Sequence, residues 1–587
     1  MIRRDEVDMM LSAKKRSFYL GRMAREKLDL LVIGGGTTAA AIVRDASFRG
    51  MRAGLLDCGS FVPDACKYEI GSTLQDYLAW GQEGKPGIIR KAKVSREAAM
   101  EREELLRRFP HLIERLTATQ LLGGSAALKA SGCRWFLYRR LADSRRKQKQ
   151  VSRSERGAMP PLQGLRIAAG GSRSCHTEPA YRRNEARLAM ELLKSACSQG
   201  ALLCNYVDVQ SIIYRRGRID GVRVADRISG EQYHIHAHQL IVAGVSPMGE
   251  HLADMDGKPY KRSPFMKSLH LVLDRKKLPI GGPLAFTTDC GMQVEAMPLT
   301  GVVYVRAVDS KAAIAPEEDK APTDEDIRKL LLLLQHAFPD CQLSAQHVVS
   351  AWSAPLAFSY GEEGSRTARR YRGQGIRLCD SGLLAVADEA PAGVLRRAEA
   401  VVDFVSAQLQ DCYGTIYPAS RADYEPLGGG QGQAGAMPFP RMKQRLVKLG
   451  MTFDLVPDAV LELIARYGSD TAIMLQGMAD VTEYDTTDEK LMYSELKYNV
   501  EHEMTVTLAD FLLYRTGWLF FHPHRAEAAL SDVTAMMGKL LQWGRDDEEW
   551  QLALLRQQLK RMGSQVQTMM KHAMQELEKE EVGNAHV

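Results

Sequence analysis

Two short apolar runs flank a glycine-rich turn near the start of the chain. Residues 28–33 are almost entirely apolar, which predicts a buried parallel strand. Glycines occupy positions 34–36, and residues 40–46 have a composition that favours a helix. A second run at 53–56 predicts another strand, and Asp57 follows it directly. The order of strand, glycine-rich turn, helix, strand and acidic residue is typical of a Rossmann-type βαβ unit.

The chemistry of this turn points to a dinucleotide. Where side chains are missing, the backbone can approach a pyrophosphate, whose charge is stabilised by the start of the next helix. The acidic residue would accept hydrogen bonds from ribose hydroxyls. We therefore predict these cofactor-binding residues: Gly34, Gly36, Thr37, Thr38 and Asp57. Ala39 takes the place of the third glycine, a small departure because that position mainly sets helix–strand packing. A glycine-rich turn without a ligand, in a related fold, is the alternative.

The rest of the chain divides into a mixed part and a helical part. The expected strands lie at 204–214, 218–223, 232–242, 269–273, 291–297, 302–305 and 383–387. The expected helices lie at 95–116, 127–140, 184–199, 323–338, 394–409, 458–467, 489–503, 508–515, 526–543 and 548–562. The helix at 323–338 begins with a capping-box pattern.

These patterns predict an α/β protein with several parts. The body is a Rossmann-like dinucleotide-binding domain over 28–410 that carries an inserted antiparallel sheet at roughly 260–350. An N-terminal extension, 1–27, precedes it. The glycine-rich linker 411–445 leads to an all-helical domain, 446–565. Residues 566–587 are highly charged and are predicted to form a tail.

Composition narrows the function only by exclusion. The chain has 587 residues, of which 45% are hydrophobic and 26% charged, so it is neither a collagen nor a disordered protein. A net charge of +6 on this length does not by itself indicate nucleic acid as a partner. The ten cysteines include no C-x-x-C pair, which favours reduced thiols in a reducing compartment. No zinc-type spacing is present, and no metal is expected.

Two further clusters of residues each have a functional and a purely structural interpretation. His234, His236 and His238 would share one strand face, but no neighbouring carboxylate or cysteine completes a metal shell, so an exposed face is favoured. Residues 139–156 are rich in arginine and lysine and could contact anionic lipid, although a solvated loop is favoured. No signal peptide or membrane span is recognisable, which predicts a cytoplasmic protein with surface attachment to a membrane left open.

Several segments together resemble one protein family. They are residues 18–20, 29–36, Asn184–Leu188, Leu271–Pro279, Asp380–Leu383, and the long C-terminal segment 500–512 with Arg515–Gly517. This set is similar to the flavin-dependent, quinone-linked glycerol-3-phosphate dehydrogenases, and the resemblance spans roughly residues 17–560. It implies a fold of the glutathione-reductase or D-amino-acid-oxidase type and FAD as cofactor. It also implies oxidation of glycerol 3-phosphate, or of a related small phosphate, with dihydroxyacetone phosphate as the product of the former. Electrons would pass to quinone at the inner face of the cell membrane, or to oxygen as in oxidase relatives, and the assembly would be a homodimer.

The sequence departs from the family pattern mainly near the expected ligands. Residues 61–78 lack the histidine, paired glycines and arginine of the family's flavin loop. Leu356 stands where the family has a phosphate-binding arginine, and Asp388, Glu389 and Ala390 replace two glycines and a lysine. Further differences fall at 243–247 and 306–309. No catalytic residue is predicted, and the alternative function is an inactive or diverged relative that serves as a binding or regulatory module.

Overall fold

The structure is a computed structural model of the chain. It describes residues 10–62, 68–72, 88–122, 174–243, 265–288, 291–314, 321–357, 376–386, 393–420 and 437–584. The predicted helix at 127–140 and the basic segment at 139–156 lie outside these residues.

Sixteen strands are described. They are β1 (Leu28–Ile33), β2 (Ala53–Leu56), β3 (Tyr68–Ser72), β4 (Ile113–Leu122), β5 (Ser174–Asn184), β6 (Leu202–Cys204), β7 (Val207–Arg215), β8 (Arg218–Asp226), β9 (Gln232–Ala243), β10 (Phe265–Asp274), β11 (Leu284–Thr287), β12 (Gln293–Pro298), β13 (Val302–Ile314), β14 (Val348–Ala357), β15 (Ile376–Leu378) and β16 (Leu384–Val386).

The α-helices of the described part follow the same order along the chain. They are α1 (Arg16–Arg25), α2 (Thr37–Phe48), α3 (Ile88–Arg108), α4 (Glu185–Ser198), α5 (Asp324–Ala337), α6 (Val394–Tyr413), α7 (Phe439–Met451), α8 (Pro457–Tyr467), α9 (Thr471–Gly477), α10 (Thr487–His502), α11 (Trp518–Phe521), α12 (Pro523–Ala528), α13 (Leu530–Leu541), α14 (Arg545–Leu559) and α15 (Ser564–Asn584). A π-helical turn, Asp510–Arg515, lies between α10 and α11.

The first sheet has the predicted parallel core. Its strands run in the order β15-β16-β9-β1-β2-β6, and the β7–β8 hairpin joins through β8. β1 lies parallel to both β2 and β9 and is buried along its whole length. Helix α2 packs against α4 and α6. The chain order reverses across β1, so the carboxyl end of β1 is a topological switch point, where ligands bind in open α/β sheets.

The second sheet is larger than the predicted insertion. Its order is β14-β10-β13-β12-β11-β4-β5-β3, so strands from residues 68–184 join those from the expected 260–350 region. One face carries Leu269, Leu271 and Leu273, which pack with Leu330 and Leu334 of α5 in a common core. Thr323 and Asp326 form the predicted capping box at the start of α5. The predicted helix 95–116 is wrong at its end, because the chain leaves the helix after Arg108 and enters β4.

The C-terminal region is helical, as predicted, and it packs on the second sheet. Phe511 and Trp518 share one core with Val272 and Tyr304 of the sheet. The single helix expected over 526–543 is wrong, because the chain forms α12 and α13 with a break at Ala529.

The prediction that residues 566–587 form a tail is also wrong for most of that segment. Residues 566–584 belong to α15, and Val566, Met570 and Met574 are buried in the same core. These apolar residues are four positions apart, so they lie on one face of the helix. Burial of that face in the core stabilises an otherwise charged helix. Within the described residues, no helix is long and apolar enough to cross a lipid bilayer.

Candidate cofactor-binding site

The turn after β1 contains two glycines that the protein itself requires. Gly34 has a φ of +123°, and a Cβ atom there would lie 2.3 Å from the carbonyl oxygen of Ala243. A Cβ atom on Gly35 would lie 2.8 Å from Oδ2 of Asp57 and 3.2 Å from Cα of Phe61. Both positions therefore exclude side chains because neighbouring strands and loops approach the turn closely.

Gly36 differs from its neighbours. Its φ of −73° and ψ of 178° suit any residue, and it caps α2 without a side-chain hydrogen bond. Gly36 and Thr37 are half-buried, whereas Gly34 and Gly35 are buried. The N-terminal amides of α2 begin here, and such amides bind anions. A glycine at position 36 thus leaves the start of the helix open to a ligand.

The two predicted threonines have different surroundings. Thr37 donates a hydrogen bond from Oγ1 to Oε2 of Glu185, at 3.0 Å. Arg183 forms an ion pair with Glu185, so a cation stands close to the start of both α2 and α4. Thr38 is only 1% exposed and belongs to the interior of the domain. Thr37 lies at the open side of the turn, and Thr38 does not.

Asp57 lies at the carboxyl end of β2 and is 6% exposed. Its backbone N–H donates to the carbonyl of Cys204 at 3.1 Å, and its Oδ1 accepts from the N–H of Gly59 at 2.7 Å. Burial, together with the nearby Asp57 carboxylate, raises the pKa of the Cys58 thiol to about 12. Cys58 therefore remains a thiol at neutral pH and is no candidate nucleophile.

These features fit the adenosine half of FAD. Gly34, Gly35 and Gly36 form a turn without side chains, α2 begins beside it, and Asp57 ends the neighbouring strand. This is the donor and acceptor arrangement that a pyrophosphate and a ribose require.

Most of the residues predicted to differ around the flavin ring lie outside the part of the chain that the structure describes. Asp388, Glu389 and Ala390 lie outside the described residues, as does most of 61–78. Leu356 belongs to β14, where it is paired with Met266.

The second sheet carries a polar face that sequence reasoning missed. Glu295, Arg306 and His270 are neighbours across β12, β13 and β10. Arg306 donates from Nη2 to Oε2 of Glu295 at 2.9 Å. The signal was present in β10, where Ser268 and His270 alternate with the leucines of the opposite face.

His270 is fully buried and both of its ring nitrogens have partners. Nδ1 lies 2.7 Å from the Tyr304 hydroxyl, and Nε2 lies 2.9 Å from Oγ of Ser268. The ring stacks on Trp352, with centroids 5.1 Å apart. Ser268, His270 and Tyr304 thus form a chain of hydrogen bonds that is able to relay a proton, but His270 offers no open nitrogen in this arrangement.

The three alternating histidines of β9 do share one side of the strand. Nδ1 of His236 lies 3.1 Å from Oδ2 of Asp220, and His238 packs against the ring of Tyr413 at 4.1 Å, whereas His234 is exposed. In the described part of the chain, no group of three or more histidines, cysteines and acidic residues could hold a metal ion.

The chain belongs to the FAD dependent oxidoreductase family, whose model matches residues 29–376. Residues 420–548 match a second model, the C-terminal domain of alpha-glycerophosphate oxidase. The combination of a dinucleotide turn, a second sheet and a helical C-terminal domain is therefore that of a flavin-dependent oxidoreductase.

The individual proteins that this chain resembles are glycerol-3-phosphate dehydrogenases. The chain is 28% identical over 530 residues to the aerobic glycerol-3-phosphate dehydrogenase of Staphylococcus aureus, covering 88% of this chain and 91% of the relative. The crystal structure of glycerol-3-phosphate dehydrogenase from Bacillus halodurans complexed with FAD superposes with a TM-score of 0.71. That match has 25% identity and covers 94% of this chain and 98% of the other.

Proposed function

We propose that this protein is an FAD-dependent oxidoreductase that converts sn-glycerol 3-phosphate to dihydroxyacetone phosphate. The similarity to glycerol-3-phosphate dehydrogenases along nearly the whole chain carries this proposal. The half-buried turn at Gly36, beside the start of α2 and Asp57, supports it independently because it suits the adenosine half of the cofactor.

The residues of this chain would divide the work between two regions. Gly34, Gly36 and Thr37 would hold the pyrophosphate at the start of α2, and Asp57 would accept the ribose hydroxyls. Thr38 would contribute only by packing, since it is buried. When bound, FAD would supply the acceptor for the hydride from C2 of the substrate.

The polar face of the second sheet is the candidate substrate side. Arg306 would provide a cation for the phosphate in place of the arginine missing at Leu356, with Glu295 fixing the guanidinium. The hydrogen-bonded chain of Ser268, His270 and Tyr304 would carry away the hydroxyl proton once Ser268 or Tyr304 releases a nitrogen of His270.

A second candidate function is an inactive relative that keeps the fold as a binding or regulatory module. Two observations favour it. Both ring nitrogens of His270 already form hydrogen bonds and the residue is fully buried, so His270 is not positioned to accept a proton from a substrate. The sequence also places Asp388 and Glu389 where the family has glycines, and added carboxylates oppose an anionic ligand.

The test is the colour of the purified protein followed by anaerobic addition of glycerol 3-phosphate. We expect a flavin absorption band at near-stoichiometric occupancy, and bleaching of that band by the substrate. Bound flavin that the substrate does not bleach would contradict the dehydrogenase and support the second candidate. Colourless protein that takes up no added FAD would contradict the flavin site itself.

Further properties are proposed from the family alone. They are quinone as electron acceptor, attachment to the inner face of the cell membrane from the cytoplasmic side, and a homodimer. The domain boundaries at 28–410 and 411–445 also remain proposals. Sedimentation with anionic vesicles and the mass in solution would test attachment and dimerisation.

A further inference from the structure

A buried arginine of the C-terminal region reaches the loop that follows Asp57. Arg515 is 3% exposed and ends the π-helical turn. Its Nη1 donates to the carbonyl oxygen of Phe61 and to Oγ of Ser60, each at 3.4 Å. Its Nη2 and Nε donate to the carbonyl oxygen of Glu503, at 2.9 and 3.3 Å. One guanidinium therefore joins two backbone segments that are far apart in the chain.

The loop that Arg515 holds forms one wall of the glycine turn. Phe61 is fully buried, and its Cα is one of the atoms that a side chain on Gly35 would strike. Asp57 contacts the same side of Gly35. Movement of Phe61 would therefore change the space around the turn and the position of the Asp57 carboxylate.

A tyrosine ties the same loop to the C-terminal region from the other side. The N–H of Tyr206 donates to the carbonyl of Gly59 at 3.1 Å. The Tyr206 hydroxyl donates to Oδ1 of Asp510 at 2.8 Å and lies 2.9 Å from Oγ1 of Thr507. One end of the loop after Asp57 is thus bonded directly to the segment 503–515, and the other end is connected to it through Tyr206.

An ion pair links this segment to the second helix at the turn. The Arg187 guanidinium of α4 donates to both carboxylate oxygens of Glu503, at 2.7 and 2.6 Å. Burial raises the pKa of Glu503, but the nearby Arg187 outweighs it, so the pKa is lowered and the pair stays charged. Helix α4 begins at Glu185, which accepts the hydrogen bond from Thr37.

Backbone strain collects at the same place. Six described residues other than glycine have a positive φ, and three of them are Val62, Tyr206 and Met504. Such conformations cost about 1–3 kcal/mol each and persist only where the surroundings enforce them. The loop after Asp57 is therefore held in a shape that it would not adopt alone.

We propose that Arg515 is a positioning residue for the cofactor, through which the C-terminal helical domain sets the affinity of the adenosine half of the site. The proposal rests on the proposed flavin function. Without the guanidinium, the carbonyls of Phe61 and Glu503 lose buried donors, and the loop relaxes away from Gly35. By linkage, FAD in turn stabilises the docking of segment 503–515 on the cofactor domain.

The experiment compares Arg515→Met with Arg466→Met. Arg466 is the control because it is an arginine with a largely covered side chain that pairs with Glu495 at 2.9 Å inside the helical domain. Apoprotein is titrated with FAD and separately with ADP, which probes the adenosine half alone, and each melting temperature is recorded. We expect Arg515→Met to weaken both ligands about tenfold or more, and Arg466→Met to lower the melting temperature while changing either Kd less than about twofold. Arg515→Lys, which keeps one donor group, should fall between Arg515→Met and the unmodified protein.

The outcomes separate this proposal from the function it rests on. Equal affinities in Arg515→Met and Arg466→Met would overturn the positioning role and leave the flavin function standing. An unmodified protein that binds neither FAD nor ADP would overturn both. If Arg515→Met does not fold, Tyr206→Phe removes one hydroxyl from the same contact, and an unchanged Kd there would also contradict the proposal. A loss of about threefold in Tyr206→Phe would support it.

Discussion

At the scale of single residues, three adjacent glycines turn out to serve different purposes. Gly34 and Gly35 are required by contacts with Ala243, Asp57 and Phe61, all within the protein. Gly36 has an ordinary backbone conformation and half-open surroundings. The backbone conformation of Gly36 therefore does not require glycine, and a ligand at the start of α2 would.

This difference predicts opposite phenotypes for two neighbouring substitutions. Gly36→Val should leave the protein folded, with a loss of less than about 1 kcal/mol of stability at the helix cap, and should abolish FAD retention. Gly34→Ala should cost about 2 kcal/mol or more, since φ is positive and the Ala243 carbonyl lies in the way. Urea unfolding and the flavin content of purified protein measure both effects. Full flavin content in folded Gly36→Val would contradict the prediction that this turn binds the pyrophosphate.

At the scale of elements, helix α15 shows how a charged segment becomes part of a core. Its surface is rich in acidic and basic residues, but Met570 and Met574 are fully buried. The segment has a polar composition overall, but its apolar residues are spaced so that they form one face of the helix. Such an apolar face is what allows a helix to pack on a core. The C-terminal domain thus depends on residues that composition alone would assign to a tail.

Substitutions on opposite faces of α15 test this dependence. Met570→Ala should lower the free energy of unfolding by about 2–4 kcal/mol, because it leaves a cavity in a closed core. Lys571→Ala, on the exposed face of the same turn, should change it by less than about 0.5 kcal/mol. Urea unfolding of the full chain measures both free energies of unfolding. Equal values for the two variants would show that α15 does not contribute to the core.

At the scale of the whole molecule, buried charges join the cofactor domain to the helical domain. Lys194 of α4 lies 2.8 Å from Oε1 of Glu191 and 2.9 Å from Oδ2 of Asp470, which precedes α9. Glu503 lies in the same cluster. Burial opposes charge on Glu191 and raises its pKa to about 7, even though Lys194 lowers it. Glu191 therefore titrates near neutral pH at the junction of the domains.

A raised carboxyl pKa makes folding less stable as pH increases. Between the ordinary value near 4.5 and about 7, the folded state holds the Glu191 proton and the unfolded state releases it, so this contribution declines with pH and is level above 7. Glu191→Gln should remove a decline of about 1–3 kcal/mol between pH 5 and pH 8. Urea unfolding at both pH values measures it, with Glu483→Gln, an exposed partner of Lys539, as control. A decline of the same size in Glu191→Gln as in the unmodified protein would place the titrating group elsewhere.

The sequence by itself determined the parallel strands at the glycine turn, most of the helices and the family of this protein. The runs at 28–33 and 53–56, the capping box at Thr323 and the helix predicted over 458–467 are local patterns, and the structure confirms them. Local patterns are readable because strand and helix periodicity record which side of an element is buried. The resemblance that names the oxidoreductase family is likewise a property of short segments.

Only the tertiary structure decided which distant residues meet. It joined β3, β4 and β5 to the second sheet, closed His270 between Ser268 and Tyr304, and brought Arg515 to Phe61. The hydrophobic pattern predicts which face of an element is buried, but it does not predict which other element packs against that face. That partner can be hundreds of residues away, and it is selected by the packing of the whole chain. The reason for glycine at 34 and 35 is of this kind, since the atoms that exclude a side chain belong to β9 and to the loop after β2.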